Sequence, residues 1–256
     1  MNNYKRIAVL SDIHGNQQAL KAVLTDINNS SIDSIICLGD IATLGPSPKQ
    51  CIKLIKDLNC PCVLGNHELA LFYPEKSGEY GIIGEMLEDT IKWCLSKINE
   101  EDLSFLKTFS STLSIPIIEE FTMLCYHGSP KSTTDSILSD TPLEKLYSLI
   151  NFDKNLKIAI GGHTHFQMYK KIKNTLLINT GSVGCAFMTP SSTPPAPTFM
   201  PIAEYVIIQV DSDSISVELK SISFDFNKFK EEIINSDIPL KEWWLQEFSK
   251  IESKSN

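Results

Sequence analysis

The stretch RIAVLSDIHG, residues 6–15, is an apolar run that ends in Asp, His and Gly. An apolar run of this length that stops at polar residues and glycine is typical of a buried strand leading into a loop. Apolar residues then recur at the spacing of a helix, at Ala19, Leu20, Val23, Leu24 and Ile27. Residues 6–27 are therefore predicted to form a strand and a helix, with the Asp and His of the motif between them.

The same order of elements recurs in the next part of the chain. SIICL at residues 34–38 ends at Gly39-Asp40, and PCVL at residues 61–64 ends at Gly65-Asn66-His67. Between these two runs, prolines begin a helical stretch over residues 46–58. Alternating strands and helices predict an α/β fold, in which right-handed crossovers build a parallel sheet that helices cover.

The rest of the chain continues this mixture. Residues 80–109 are predicted to form a helical cap or flanking layer, and residues 112–126 a hairpin that turns at Glu119-Glu120. Further strands are predicted at residues 157–160, 168–172, 176–179, 205–210 and 214–219, and further helices at 143–150, 226–234 and 240–251. The proline-rich residues 189–201 are predicted to be a loop. Because no domain-scale linker interrupts the pattern, we expect one α/β domain with a C-terminal helical tail.

Composition limits the classes of function. Of the 256 residues, 42% are apolar and 21% charged, which is typical of a chain with a sizeable core. The net charge of −8 argues against nucleic acid as a partner, because sequence-independent binding to it needs a basic surface. Arg6 is the only arginine, so arginine forks are nearly absent as phosphate ligands. A phosphate site would instead depend on metal ions, lysine, histidine or backbone N–H groups.

The cysteines and the hydropathy indicate where the chain resides. The seven cysteines show no disulfide framework, and we expect a reducing, cytoplasmic location. The first residues contain no apolar signal core, and no apolar run approaches the ~18 residues of a membrane-spanning helix, so no membrane partner is expected. Cys60-Pro61-Cys62 could be half of a zinc site, but no second cysteine pair follows at ligand spacing. Buried thiols are the simpler interpretation.

Short polar motifs follow the predicted strands at their carboxyl ends. They contain all five histidines of the chain. The residues that carry this pattern are Asp12, His14, Asp40, Asn66, His67, His127, His163 and His165. Because ligands of open α/β sheets bind outside the carboxyl ends of the strands, we expect these side chains to meet at one edge.

The residue types in these motifs favour metal binding. Each motif alone is a weak signal, because a single Asp-x-His or Gly-Asp is more often a solvated turn. Their co-occurrence in order, with no histidine left over, favours a metal site. Carboxylate, amide and imidazole groups suit manganese, iron, zinc, cobalt or nickel better than magnesium, which rarely recruits several imidazoles.

The order of the motifs resembles a known family. DxH, GD, GNH[E/D], H and GHxH, in this sequence, is similar to the calcineurin-like metallophosphoesterase superfamily, and most to its small bacterial and archaeal phosphoesterases. GPSP at residues 45–48 and NTGSVG at residues 179–184 also resemble that branch, although Thr180 stands where proline is expected. The resemblance covers roughly residues 6–185.

The resemblance implies a fold and a division of the chain. The fold would be α/β, a four-layer α-β-β-α sandwich of two mixed sheets flanked by helices. Residues 1–222 would form the phosphoesterase domain, and residues 223–256 a C-terminal helical tail packed on the same domain.

The resemblance also implies two divalent or transition metal ions as cofactors. The first ion would be held by Asp12, His14, Asp40 and His165, and the second by Asp40, Asn66, His127 and His163. Asp40 would bridge the ions, and the catalytic residues would be His67, Asp40 and Asn66. A metal-bridging hydroxide would then attack a phosphomonoester or phosphodiester of a small phosphorylated substrate, with nucleotides among the candidates. His67 would be the general acid for the leaving oxygen or a hydrogen-bond donor that binds phosphate.

Two other functions remain open alternatives, a non-catalytic metal-binding scaffold and a nuclease. Every ligand position is filled, which argues against the scaffold, and the acidic balance argues against the nuclease. The absence of arginine beside the GD and GNH motifs argues against the protein Ser/Thr phosphatases and the symmetrical dinucleoside tetraphosphatases of this superfamily. The sequence leaves open whether the chain forms a homo-oligomer.

Three further features have a functional and a structural interpretation. Lys131 could contact phosphate, but a solvated loop lysine is the simpler interpretation. Trp243-Trp244 could line a substrate edge, but we expect one of the two to anchor the tail on the core. The loop at residues 189–201 could gate the site, join a dimer or be passive.

Overall fold

Two β-sheets form the centre of the computed structural model, which describes residues 5–118, 121–189, 198–211 and 214–254. The strands are β1 (Lys5–Leu10), β2 (Ser34–Cys37), β3 (Leu113–Ile118), β4 (Phe121–Cys125), β5 (Leu156–Gly161), β6 (Met168–Ile172), β7 (Thr175–Asn179), β8 (Ile202–Val210) and β9 (Ile215–Ser223). The α-helices are α1 (Gln17–Asn28), α2 (Pro48–Leu58), α3 (Asn66–Phe72), α4 (Glu85–Lys97), α5 (Glu100–Leu106), α6 (Leu143–Leu149), α7 (Phe226–Asn235) and α8 (Lys241–Lys254). A 3-10 segment spans Pro74–Tyr80.

Both sheets are mixed. The first has the order β2-β1-β8-β9, in which β1 is parallel to β2 and antiparallel to β8. The second has the order β3-β4-β5-β7-β6, in which β4, β5 and β7 are parallel and the two outer strands antiparallel. The alternation of strands and helices predicts a parallel sheet. In the first sheet this holds only for β1 and β2, because β8 and β9, from the C-terminal part of the chain, add to it in antiparallel pairs. The mixed sheets that the family resemblance implies are confirmed.

The side-chain alternation of the strands builds the layers. In β1, Ile7 and Val9 pack in a core between the sheets together with residues such as Ile158 of β5. The alternate residues Ala8 and Leu10 instead pack in the core beneath α1 and α2. On the outer face of the second sheet, further apolar residues pack against α6. Because successive strand residues point to opposite faces, one apolar strand supplies two cores, which gives the α-β-β-α order.

Two segments differ from the predicted elements. Residues 61–64 form only isolated bridges, Cys37 with Cys62 and Val63 with Ser110, and α3 begins directly at Asn66. The helical region predicted at residues 80–109 is divided into α4 and α5, because Ile98 has extended backbone and Asn99 caps a new helix. The predicted hairpin is confirmed by the antiparallel pairing of β3 and β4, while its turn at Glu119-Glu120 lies outside the described residues.

The C-terminal helices share a core with the loops near the strand ends. Phe229, Trp244 and Phe248 pack with Phe187 and Phe199. The Trp244 indole also donates to the Leu44 carbonyl at 2.7 Å, so this tryptophan anchors the tail as expected. The division of the chain at residue 222 stays a prediction. Of the loop predicted at residues 189–201, residues 190–197 lie outside the described part of the chain.

Two general expectations concern the thiols and the helices. All seven cysteines are free, and all but Cys60 are buried, which agrees with the interpretation as buried thiols. No helix in the described part of the chain combines the length and the apolar character that crossing a bilayer requires.

Candidate metal centre

The polar motifs converge at the carboxyl ends of strands from both sheets. The two chain segments after β1 and β2 come from the first sheet, and those after β4 and β5 from the second. Together with the segment after residue 64, they bring together Asp12, His14, Asp40, Asn66, His67, His127, His163 and His165. All of these are buried except His163, which is partly exposed. Every site residue that the sequence indicates is therefore in one place.

Asp12, His14 and His165 form a first cluster. His14 Nε2 and His165 Nε2 are 2.8 Å apart, and Asp12 Oδ1 is 3.2 Å from His165 Nε2 and 3.7 Å from His14 Nε2. Two nitrogens that bind one ion at about 2.0–2.1 Å lie roughly 3 Å apart when the angle between them is near 90°. The spacing of the cluster therefore matches that of ligands around a common ion.

Asp40, Asn66, His127 and His163 form a second cluster. His127 Nε2 lies 3.2 Å from Asp40 Oδ2 and 3.0 Å from Asn66 Oδ1. His163 Nδ1 lies 3.1 Å from the same Asn66 oxygen. Carboxylate, amide oxygen and imidazole nitrogen thus face one another, a donor set typical of transition-metal sites.

The two clusters adjoin one another through their carboxylates. Asp40 Oδ2 is 3.8 Å from His14 Nε2 of the first cluster, and Asp12 Oδ1 is 3.9 Å from His127 Nε2 of the second. Ligand atoms within 4.8 Å of one another include the sets Asp12-His14-His165 and Asp12-Asp40-His127. A third such set, His14-Asp40-His67, shows that geometry alone also admits His67 as a ligand.

The buried oxygen of Asp12 tests whether this site fits a cation. Among the described residues, Asp12 Oδ1 has no hydrogen-bond partner, although the side chain is fully buried. A buried carboxylate oxygen without a partner is costly unless a cation or a donor compensates it. The other oxygen, Oδ2, accepts from the His163 backbone N–H at 3.0 Å, which orients the free oxygen into the cluster. These residues fit a metal ion.

Two histidines are oriented by backbone carbonyls on the side away from the clusters. His127 Nδ1 donates to the Leu38 carbonyl at 2.7 Å, and His165 Nδ1 donates to the Cys185 carbonyl at 2.8 Å. With a metal ion bound, each ring would be neutral with its proton on Nδ1 and would present the lone pair of Nε2 to the cluster. Such outer partners are the usual means by which proteins fix the tautomer of metal-binding histidines.

The charges within the centre shift several pKa values. Burial raises the pKa of Asp12, but the charges of His165 and His127 outweigh it and hold this pKa well below its usual value. Burial lowers the pKa of His127, while Asp40 and Asp12 outweigh it and raise this pKa to about 9. The carboxylates are therefore stable as anions in a buried place, provided that positive charge lies beside them.

The backbone of the site is unusual. Asp12, His14, Asp40, His163 and His165 all have positive φ values, between 48° and 68°. This left-handed conformation costs a non-glycine residue of order 1 kcal/mol or more, so the surrounding structure must hold it in place. Each of these residues lies where a strand stops and the chain turns sharply. The turn lets residues two apart, such as Asp12 and His14, face the same cluster.

The comparison with known families agrees with this geometry. The model of the calcineurin-like phosphoesterase superfamily domain matches residues 6–200. The chain belongs to the calcineurin-like phosphoesterase superfamily. It is accordingly a metal-dependent phosphoesterase.

Similar proteins within this superfamily come from archaea and bacteria. An uncharacterized protein of Methanocaldococcus jannaschii is 30% identical over 247 residues, which cover 93% of this chain and 94% of that protein. A phosphodiesterase of the same organism is 22% identical over 184 residues, 72% of this chain and 87% of that protein.

Two crystal structures share the calcineurin-like fold. A metallophosphoesterase from Sphaerobacter thermophilus has a TM-score of 0.66 at 23% identity, and a hypothetical protein from Pyrococcus horikoshii OT3 a TM-score of 0.70 at 21% identity. In both cases the match covers 89% of this chain and 92% of the other. These similarities show the fold.

Some residues of this calcineurin-like site are not evident from the sequence. Glu68 is buried and accepts from the backbone N–H groups of Gly65, Asp40 and Ile41 at 2.8–3.0 Å. It therefore ties the loop after β2 to the start of α3. Its sequence signals are the last position of the GNH[E/D] motif and its place three residues after Gly65, the spacing of a capping box.

Thr43 and Phe187 also contact the histidines. Thr43 Oγ1 lies 2.7 Å from His67 Nδ1, and the Phe187 ring stacks on the His165 ring with centroids 4.9 Å apart. Neither residue belongs to a motif that predicts such a contact. Lys131 is exposed and Trp243 half-buried, which leaves the structural interpretations of these two residues the simpler ones.

Proposed function

We propose that the chain hydrolyses phosphomonoester or phosphodiester bonds of a small phosphorylated substrate with two metal ions. The observation that carries the proposal is the free, buried Asp12 Oδ1 at the junction of two adjoining ligand clusters. Two adjoining sites are the arrangement that two-metal hydrolysis of phosphoesters uses.

The ligand assignment follows the two clusters. The first ion is assigned to Asp12, His14, Asp40 and His165, and the second to Asp40, Asn66, His127 and His163. Asp40 is assigned as the bridge because its Oδ2 lies within 4 Å of both His14 Nε2 and His127 Nε2. The donor set suits manganese, iron, zinc, cobalt or nickel. Bound metal ions supply positive charge at the phosphoryl oxygens and a water activated as nucleophile.

The chain's own residues orient the groups and provide a hydrogen-bond donor. The Asn66 amide donates through Nδ2 to the Tyr80 carbonyl at 2.9 Å, so its Oδ1 is turned toward His127 and His163. His67 Nε2 faces Asp40 Oδ2 at 4.0 Å. Burial lowers the pKa of His67 to about 3, which keeps the free ring neutral near pH 7. We assign His67 as the group whose neutral ring donates a hydrogen bond from Nε2–H to the leaving oxygen, where negative charge develops.

Hydrolysis by reconstituted protein tests the function. Protein loaded with Mn²⁺ is expected to hydrolyse p-nitrophenyl phosphate, bis(p-nitrophenyl) phosphate or both, and to lose activity after chelation. The Asp12→Asn variant is expected to bind less metal and to be inactive, while Asp57→Asn, an exposed carboxylate on α2, serves as the matched control. Full metal loading of the wild-type protein without hydrolysis of any ester would favour the non-catalytic scaffold.

The role of His67 is tested separately. His67→Ala is expected to keep both metal ions and to lose about 10²- to 10³-fold in rate on esters with poor leaving groups, the cost of removing one hydrogen-bond donor to a developing oxyanion. On p-nitrophenyl esters, whose leaving oxygen is stable as an anion, the loss should be smaller. Unchanged turnover of a poor leaving group would disprove the assignment, and loss of a metal ion would show that His67 is a ligand.

A further inference from the structure

Thr43 connects two histidines of the site through one hydroxyl group. Its side chain is fully buried, and Oγ1 lies 2.7 Å from His67 Nδ1 and 3.4 Å from His14 Nδ1. The two imidazole rings meet edge to face, with centroids 4.8 Å apart. Within the described residues, neither Nδ1 has another hydrogen-bond partner. The hydroxyl is thus the polar link between His14, a proposed metal ligand, and His67, the proposed hydrogen-bond donor to the leaving oxygen.

The number of protons available decides which group donates and which accepts in each of the two hydrogen bonds. A neutral imidazole carries one ring proton, and a hydroxyl donates one proton while accepting others. His14 Nε2 faces the first cluster, 2.8 Å from His165 Nε2, so a metal ligand at this atom requires the ring proton on Nδ1. His14 Nδ1 then donates to Thr43 Oγ1, and the Thr43 hydroxyl donates to His67 Nδ1.

The consequence appears at the other side of the His67 ring. Because Nδ1 of His67 accepts the hydroxyl proton, the neutral ring carries its own proton on Nε2. This is the nitrogen that faces Asp40. In the proposed function it donates a hydrogen bond to the leaving oxygen, whereas a ring in the opposite tautomer would present a lone pair there and could not do so.

We propose that Thr43 is a positioning residue that sets the tautomers of His14 and His67 together. The inference rests on the proposed function, in which His14 holds an ion and His67 donates a hydrogen bond to the leaving oxygen, and it deepens that function. Occupation of His14 Nε2 would fix the proton on His67 Nε2, so the metal-loaded state would be the state in which this donor is ready. A role in filling space alone would need the shape of Thr43 and not its hydroxyl.

Nitrogen NMR of the histidines in Zn²⁺-loaded, ¹⁵N-labelled protein tests the tautomers directly. Wild-type protein is expected to show an unprotonated, pyridine-type Nδ1 and a protonated, pyrrole-type Nε2 for His67, and a protonated Nδ1 for His14. In Thr43→Val, which keeps the shape and removes the hydroxyl, the two His67 shifts should move toward each other as the tautomers mix. Thr43→Ser should keep the wild-type pattern.

The matched control is Thr175→Val. Thr175 is also buried and is the first residue of β7, away from the strand ends that form the site. Its hydroxyl donates to the carbonyl of Leu156, the first residue of β5. This variant should leave the His67 shifts unchanged. A protonated Nδ1 on His67 in the loaded wild-type protein would overturn the proposal, and that result needs no variant to fold. Unchanged His67 shifts in zinc-loaded Thr43→Val would overturn it as well.

Rates on two esters separate this inference from the proposed function. On phenyl phosphate, whose leaving group is poor, Thr43→Val is expected to lose about 10-fold or more in rate, part of what one hydrogen-bond donor to a developing oxyanion contributes. The loss on p-nitrophenyl phosphate should be smaller. Thr43→Ser, which keeps the hydroxyl, should hydrolyse both esters at about the wild-type rates. An equal loss on both esters would overturn the tautomer role. If the wild-type protein hydrolyses no ester, the proposed function fails, while the His67 shifts still decide the role of Thr43.

Discussion

The two ligand clusters have similar donors in different surroundings. In the first cluster, the His165 ring is enclosed by the stacked Phe187 ring and by the Cys185 carbonyl. In the second, His163 is partly exposed, and Asn66 is held by the carbonyl of Tyr80, the last residue of the 3-10 segment. The apolar surroundings of a site control solvent access to it. The comparison teaches that one site is built into the core and the other lies open on one side, so an ion should leave the second cluster first.

Removal of Asp40 should have the largest effect, because it is the carboxylate between the clusters. Its Oδ2 lies within 4.0 Å of His14, His67 and His127. Asp40→Ala is expected to lose at least one ion per chain. Its activity should fall by more than about 100-fold, because even the loss of an outer partner of a metal ligand costs about 10- to 100-fold. Elemental analysis together with ester hydrolysis measures both. Two ions per chain in this variant would refute the bridge.

Paired histidine variants should separate the two sites. His14→Gln is expected to abolish metal binding at the first cluster, and His163→Gln at the second, each leaving about one ion per chain. Activity should fall strongly in both, since the proposed reaction uses both ions. Metal content after passage over a chelating resin is the measurement. If each variant kept two ions, or each lost both, the division into two clusters would be wrong.

Glycine variants should damage each cluster through the carboxylate beside it. A Cβ at Gly162 would overlap Asp12 Oδ2, and a Cβ at Gly65 would overlap Asp40 Oδ1, whereas Gly78 has nothing within 4 Å. Gly162→Ala and Gly65→Ala should lower the free energy of unfolding by about 1–3 kcal/mol, the usual cost of overpacking. Gly78→Ala is the control and should change it by less than about 0.5 kcal/mol. Urea denaturation of the metal-free proteins measures these values, and equal stability of all three variants would contradict the geometry.

Loss of the Phe187 ring should have the smallest effect. Phe187→Leu keeps an apolar side chain but removes the stacking on His165, which is worth about 0.5–1.5 kcal/mol for aromatic pairs. We expect metal affinity at the first cluster to fall by about 10-fold or less, with the second cluster unchanged. Competition titration with a fluorescent chelator resolves the two sites. An effect confined to the second site would reverse the comparison.

The sequence predicts the site better than it predicts the fold around it. The motif residues stand next to their strands, so local order alone indicates that Asp12, Asp40 and His127 meet at one edge. The mixed character of the first sheet does not follow from local order, because β8 pairs with β1 across almost the whole chain. The family resemblance supplies that part.

The residues that support the ligands leave little trace in the sequence. Thr43 and Phe187 act through contacts with histidines that are distant along the chain, and their types are common in any loop or core. The left-handed backbone of His14 and His165 is also not evident, because a positive φ is uncommon in non-glycine residues, although Asp and His adopt it more often than most. These features depend on tertiary contacts, which a single sequence does not record.

The central claim is that two adjoining clusters each hold one ion and that the second releases it first. The most direct test is the release of Mn²⁺ from reconstituted wild-type protein into excess chelator, followed over time and compared with His163→Gln. The account predicts two ions per wild-type chain that leave in two phases, with the faster phase missing in the variant. One ion per wild-type chain, or a variant that loses the slower phase instead, would contradict it.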